Sequence, residues 1–303
     1  MDGSIARPRP FLALGLRLLA AFALATMSML LKLAGESGVH LIEMLFWRQA
    51  LTAVLLGVGL ALAGRLALLR TRRMPAHGRR AFTGLVGMMF VYGSVLLLPL
   101  AEATTLSFTT PIFAVLIAMV LFGEKIGRYR WAAIVIGFTG VIVVMQPGLS
   151  GADAGSGITL IGVAVGLIAA LMVAVISFQV QDLNTTENPW SIVFWFTALS
   201  APVVALALPF VFGPHDLETW GIILAMALCG ALAQILLTLS LRFGSAAVIL
   251  LMDYTALIWA SWYGFTIFDR APPASLWLGA PLIVAAGLII AYRERELARL
   301  KLR

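Results

Sequence analysis

Residues 104–124 read TTLSFTTPIFAVLIAMVLFGE. The stretch is apolar enough for a buried helix, yet Pro111 stands inside it, preceded by the hydroxyls of Ser107, Thr109 and Thr110. A proline removes one backbone donor and pushes the residue before it out of the α region. Inside a bilayer such a break must be repaired by hydroxyls, neighbouring helices or a cavity. This stretch is therefore expected within a bundle and not on a lipid-facing surface. A second stretch echoes it: from Val248 to Arg270 the chain reads VILLMDYTALIWASWYGFTIFDR. With Glu124 set against Asp269, Pro111 falls on Ala256 and Lys125 on Arg270. After each acid a short polar turn leads to one further apolar run. This pattern suggests two related halves.

Composition sets the class. Of the 303 residues, 61% are hydrophobic and 12% charged, and the mean hydropathy is +1.01. Soluble domains carry about 25% charged residues, so the chain reads as an all-α polytopic membrane protein. Cys229 stands alone, which excludes an intrachain disulfide framework and a thiolate metal site. No metal-binding spacing, cofactor motif or phosphate-binding loop is present, and no nucleic-acid partner is implied: the net charge of +7 reads as basic loops beside a membrane. The first apolar run is too long for a signal-peptide core and reads as a retained span.

A spanning helix needs about 20 apolar residues. Ten candidates fit: 11–34, 41–63, 81–100, 103–123, 131–147, 157–181, 190–212, 219–241, 245–267 and 275–292. With the N-terminus on the cytoplasmic side, one set of connecting segments holds Arg7, Arg9, Arg65, Arg70, Arg72, Arg73, Arg79, Arg80, Lys125, Arg128, Arg130, Arg242, Arg293, Arg295, Arg299, Lys301 and Arg303; the other set holds Arg270 alone. The asymmetry predicts both termini in the cytoplasm. Five spans per half then give opposite insertion of the two halves, 11–147 and 157–292, followed by a basic cytoplasmic tail at 293–303. Inverted repeats of this kind mark carriers with a midplane substrate site between the halves.

The chain resembles the ten-span drug/metabolite transporter superfamily, EamA branch. The fourth span carries that family's pattern in Ala103, Thr104, Ser107, Pro111, Ile112, Phe113 and Phe122-Gly123-Glu124; Lys32 in Met29–Gly35 and Arg48 in Met44–Leu51 match its late lysine in span one and its arginine in span two. The second half departs, with Ala256 for the proline and Phe268-Asp269 for Gly-Glu. The resemblance covers essentially the whole chain and implies a bacterial inner-membrane secondary transporter, with a small-molecule substrate and a central cavity among spans one, three, four, six, eight and nine. It is most similar to amino-acid and metabolite exporters of the YddG type. Sugar, nucleoside or drug transport on the same fold is the alternative. Monomer and homodimer both remain open.

Ionisable groups inside spans are costly and serve as functional candidates. Asp253 is placed about 12 Å from the inner edge, as a contact for a substrate ammonium, a proton-coupling acid, or a tether between helices. Arg48 is placed about 10 Å deep, where it meets a substrate carboxylate or forms a gating pair with Glu43. Lys32 and Arg17 read as snorkelling side chains. Pro111, Arg48, Lys32 and Glu43 are the gating or structural candidates. Tyr92, Ser94, Gln179, Gln234, Tyr254 and Trp259 are cavity candidates; Trp259, Trp262 and Tyr263 share a helical face, which also fits an interfacial aromatic belt. Gly84, Gly87, Gly137 and Gly140 have spacings suited to close helix contact. An intramembrane enzyme is disfavoured, because His40, His77 and His215 fall in or beside loops and Asp253 is the single midplane acid. A channel remains the other non-carrier reading.

Overall fold

Proline and the capping residues divide the chain into helices. The computed structural model describes residues 10–122, 127–150, 158–243 and 250–301, and all regular structure among them is helical. The helices are α1 (Pro10–Glu36), α2 (Leu41–Leu62), α3 (Met74–Leu97), α4 (Leu100–Ser107), α5 (Thr110–Phe122), α6 (Arg128–Ser150), α7 (Leu160–Asn184), α8 (Pro189–Ala205), α9 (Leu217–Phe243), α10 (Ala256–Phe268) and α11 (Ala274–Lys301). Short 3₁₀ turns cover Leu66–Leu69, Leu208–Phe210 and Leu250–Thr255. Several starts carry side-chain caps that satisfy otherwise unpaired amides. His40 accepts from the Ile42 amide at 3.2 Å, Asn188 from Trp190 at 3.0 Å and Asp216 from Thr219 at 2.9 Å.

Among the described residues, eight helical segments are long and apolar enough to cross a membrane, α4 and α5 acting together as one of them, and Pro189–Ala205 is a shorter apolar helix. Ala256–Phe268, with 13 residues, is shorter still. The outer surface is correspondingly greasy, as shown by exposed Val135, Ile142, Ile161, Leu228 and Ile258.

The fourth predicted span is in fact two helices. Phe108 and Thr109 form a turn between α4 and α5, two to three residues ahead of Pro111. The hydroxyls gathered there donate to carbonyls around the break: Ser107 to Thr104 (2.6 Å), Thr109 to Leu106 (2.7 Å) and Thr110 to Ser107 (2.7 Å). Each such bond is worth about 1 kcal/mol net. The ninth predicted span, 245–267, is likewise discontinuous, passing from the 3₁₀ turn Leu250–Thr255 into α10. α5 and α10 each have 13 residues. Asp269 ends α10 in a left-handed conformation, φ 50°, and the Arg270 amide returns to the Gly264 carbonyl at 2.9 Å.

Two other boundaries differ from expectation. α3 begins at Met74, not at residue 81, because Pro75 occupies its first turn, where proline is well tolerated. His77, Arg79 and Arg80 are therefore helical and not in a loop. α11 runs on to Lys301, so most of the predicted tail continues the last helix. Glu124, Lys125, Arg7 and Arg9 lie outside the described residues.

α1 packs along α9 and α3 along α7, while α2 faces α8 and α6 faces α11; α10 lies against α1 and α4. The α6–α11 contact is the closest. A Cβ on Gly279 would stand 2.6 Å from the Gly140 carbonyl oxygen, and one on Gly140 would stand 2.8 Å from the Gly279 oxygen. The backbones touch, as small residues permit in membranes. The main apolar core includes Leu31, Met44, Tyr92, Leu106, Ile223 and Tyr263. A second core joins Ile112 and Val115 of α5 to Ala133 and Ile134 of α6 and Ala286 and Ile290 of α11.

Candidate functional site

Polar side chains buried between the helices fall into three levels. At the end of the bundle where α1 begins, Arg17 meets Asp253 in a two-pronged pair: Nε to Oδ1 and Nη2 to Oδ2, both 2.5 Å. This ties α1 to the 3₁₀ turn ahead of α10. Arg17 is thus the partner of Asp253, not a snorkelling side chain; its relative exposure is 8%. Asp253 sits in the 3₁₀ turn, not within a continuous α-helix as its predicted depth assumed. At the same end, Arg73 bonds Asp182 at 2.7 Å on the exposed surface, and buried His77 stands 3.7 Å from Glu187.

At the opposite end, Glu43 of α2 meets His215 just ahead of α9, with 3.0 Å between Oε2 and Nε2. Trp47 donates its Nε1 proton to the same carboxylate at 3.4 Å. The pairing of Glu43 with Arg48 does not occur: Glu43 turns toward α9, while Arg48 points into the bundle. Lys32 does not snorkel. It is buried and donates to the carbonyls of Val95 (3.1 Å) and Leu98 (2.8 Å). Those carbonyls lie where Pro99 ends the α3 ladder, so the ammonium supplies donors that the backbone lacks. Trp47 and Trp220 close this end edge-to-face, ring centres 5.2 Å apart.

Between the two ends lie Arg48 and Arg80. Arg48 Nη1 is 3.1 Å from Met88 Sδ and 3.3 Å from Gln49 Oε1. Its relative exposure is 9%, and its Nε has no partner among the described residues. Arg80 lays its guanidinium on the Phe196 ring, 4.2 Å from the centroid, with Nε and Nη1 buried and unpaired among the described residues. The Tyr92 hydroxyl and Gln49 Nε2 are likewise buried without partners there.

The cavity candidates therefore separate. Tyr92 shares the interior with Arg48. Ser94 is buried and spends its hydroxyl on the Val91 carbonyl, 2.8 Å. Gln179 accepts from Thr83 at 2.6 Å, linking α7 to α3. Gln234 is partly exposed on α9. Asp253, Tyr254 and Trp259 belong to another sector: the Tyr254 ring packs on Phe108 and the Trp259 ring on Phe22, both at 4.8 Å. The aromatic face of α10 splits as well. Tyr263 hydrogen-bonds Thr26 at 2.7 Å, whereas Trp262 is exposed. Two clefts, of about 430 and 400 Å³, lie at the Lys32 end, lined respectively by Lys32, His40 and Leu96 and by Ser37, His215 and Asp216. They are not at the centre, where the cavity was expected.

Sequence reasoning passed over Arg80, Gln49, His215 and the pairing role of Arg17. For Arg80 the signal was Pro75, which marks a helix start early enough to draw the arginine inside.

A bundle of apolar helices with polar side chains confined to its interior is the build of a multi-pass membrane transporter. The EamA-like transporter family model matches residues 11–146. A riboflavin transporter of Rhizobium johnstonii is 32% identical over 237 residues, 77% of this chain and 76% of that one. The pseudopaline exporter CntI of Pseudomonas aeruginosa is 26% identical over 92% of this chain and 96% of its own. An S-adenosylmethionine uptake transporter of Rickettsia prowazekii is 25% identical, covering 85% of each chain. A solved crystal structure with 22% identity superposes with a TM-score of 0.58 over 93% of this chain and 98% of the other, and shares the fold. The chain belongs to the EamA-like transporter family. The three named transporters differ in what they carry, and the family fixes the class without the cargo.

Proposed function

We propose that the protein is a secondary transporter that exports amino acids or related small metabolites across a bacterial inner membrane by alternating access. Its two halves, 11–147 and 157–292, are inserted in opposite senses, with both termini cytoplasmic. One observation carries the reading. Each end of the bundle is tied by a polar contact between the halves: the Arg17–Asp253 ion pair at one end, the Glu43–His215 hydrogen bond at the other. A carrier must open one end while the other stays shut, and separable polar ties at both ends suit that cycle. The helix packing is compatible with the same symmetry, since α1 on α9 matches α3 on α7 when the halves are exchanged.

Counterflow in proteoliposomes tests the reading. The full-length protein is reconstituted and offered labelled amino acids, sugars, nucleosides and riboflavin, with and without a pH gradient. Exchange of amino acids above empty liposomes supports the export reading, and its response to the gradient reports coupling. Riboflavin is the second reading, favoured by the 32% identity to a riboflavin transporter. Movement of riboflavin but not of amino acids selects it.

A further inference from the structure

We infer that Arg48 and Arg80 form the anion-binding half of the substrate site, taking a carboxylate or phosphate group of the transported metabolite; this rests on the transporter reading above.

Arginine stays protonated in proteins. A charge buried without a counter-charge costs several kcal/mol. Yet neither guanidinium meets a carboxylate among the described residues. The paired acids of the bundle are engaged at its ends: Glu43 with His215, Asp182 with Arg73, Glu187 beside His77 and Asp253 with Arg17. Arg80 is partly buried, with Nε and Nη1 out of water, and the Phe196 ring offsets part of that burial, since a cation–π contact contributes about 0.5–2 kcal/mol.

The two heads converge. Arg80 bends along its own helix to lie over Gly84. Arg48 reaches across from α2 to Met88. Gly84 and Met88 are four residues apart on α3, about 6 Å along its axis. Both heads thus lie against adjacent turns of one face of α3, where like charges repel one another and a bridging anion relieves the repulsion. Glycines make room for both heads. A Cβ at Gly230 of α9 would stand 2.8 Å from Arg48 Nε, and one at Gly84 would overlap Arg80.

The unpaired groups agree in kind. Arg48 Nε, Arg80 Nε and Nη1, Gln49 Nε2 and the Tyr92 hydroxyl can all donate. A ligand that answers them brings acceptors, and guanidinium forks match the paired oxygens of carboxylate and phosphate. The surrounding helices α2, α3, α8 and α9 come from both halves, so an anion held there touches both sides of the moving interface.

The test is calorimetric titration of the purified full-length protein with succinate, inorganic phosphate and uncharged succinamide. Saturable binding of succinate or phosphate, with none for succinamide, is expected, and the tighter of the two names the group. Arg48→Gln and Arg80→Gln should each weaken it about tenfold or more, and Arg79→Gln, on the exposed side of α3, should leave it unchanged. Arg48→Lys and Arg80→Lys keep the charge where a glutamine variant fails to fold, and should retain weakened binding. Absence of saturable anion binding, or binding that survives both glutamine changes, overturns the inference. Anion binding without counterflow of any solute leaves the site standing and removes the transporter reading. Counterflow that is equal in wild type and in both glutamine variants does the reverse.

Discussion

His215 Nε2 lies 3.0 Å from Glu43 Oε2, joining the start of α2 to the approach of α9 across 172 residues of sequence. The Glu43 side chain is fully buried and that of His215 nearly so. Removing either partner strands the other in an apolar setting, a cost of about 1–3 kcal/mol. Glu43→Gln and His215→Ala should each lower the thermal unfolding midpoint in detergent by a few degrees. The double variant should fall less than the sum of the two. Additive effects would show that the pair does not act as a unit.

Asp253→Asn keeps the shape of the side chain and leaves Arg17 facing a neutral amide. Transport in proteoliposomes should drop severalfold, since the pair is part-buried and its loss leaves the Arg17 charge without its partner. The exchange Arg17→Asp with Asp253→Arg should recover part of the loss. Wild-type rates in Asp253→Asn, with and without a pH gradient, would remove this carboxylate from the mechanism.

Lys32 completes the end of α3 through the carbonyls of Val95 and Leu98. Lys32→Met preserves the stem and removes both donors. A loss of about 2 kcal/mol and a midpoint lower by roughly 4–8 °C are expected, with Lys32→Arg close to wild type. Thermal unfolding monitored by tryptophan fluorescence measures both.

Gly279→Val tests the touching backbones of α6 and α11. The new side chain would press on the Gly140 carbonyl and on Val144, and overpacking of this kind costs about 1–3 kcal/mol. The variant should unfold earlier. If instead it unfolds like wild type, the two helices have room to separate.

Much of this was legible in the chain because membranes make local rules strict. The apolar runs had to be helices, and Pro111 had to break one; the break and its hydroxyl repair are both found. Boundaries went astray where charge stood in for loop. Arg79 and Arg80 read as a connector, yet Pro75 starts a helix that carries both. The pairing of polar groups was not legible. Arg17 and Asp253 are separated by 236 residues, and nothing in either neighbourhood names the other. Lys32 looked free to reach water because the carbonyls it serves lie 63 and 66 residues away. Spacing along one helix tells which side chains share a face, but the rotation of that face toward a neighbour is decided by packing.

The turn at Phe108 and Thr109 has a mechanical consequence. Below it, α4 belongs to the main apolar core; beyond it, α5 is fastened with α6 and α11 by a core of its own. The fourth span is therefore a jointed rod: both pieces lie along α7, and the second also rests on a keel of α6 and α11, closed at Gly140 and Gly279. The joint is looser than a continuous helix by the one backbone hydrogen bond that Pro111 cannot donate, and 3₁₀-type bonds from Phe108 to Thr105 and from Thr109 to Leu106 hold what remains.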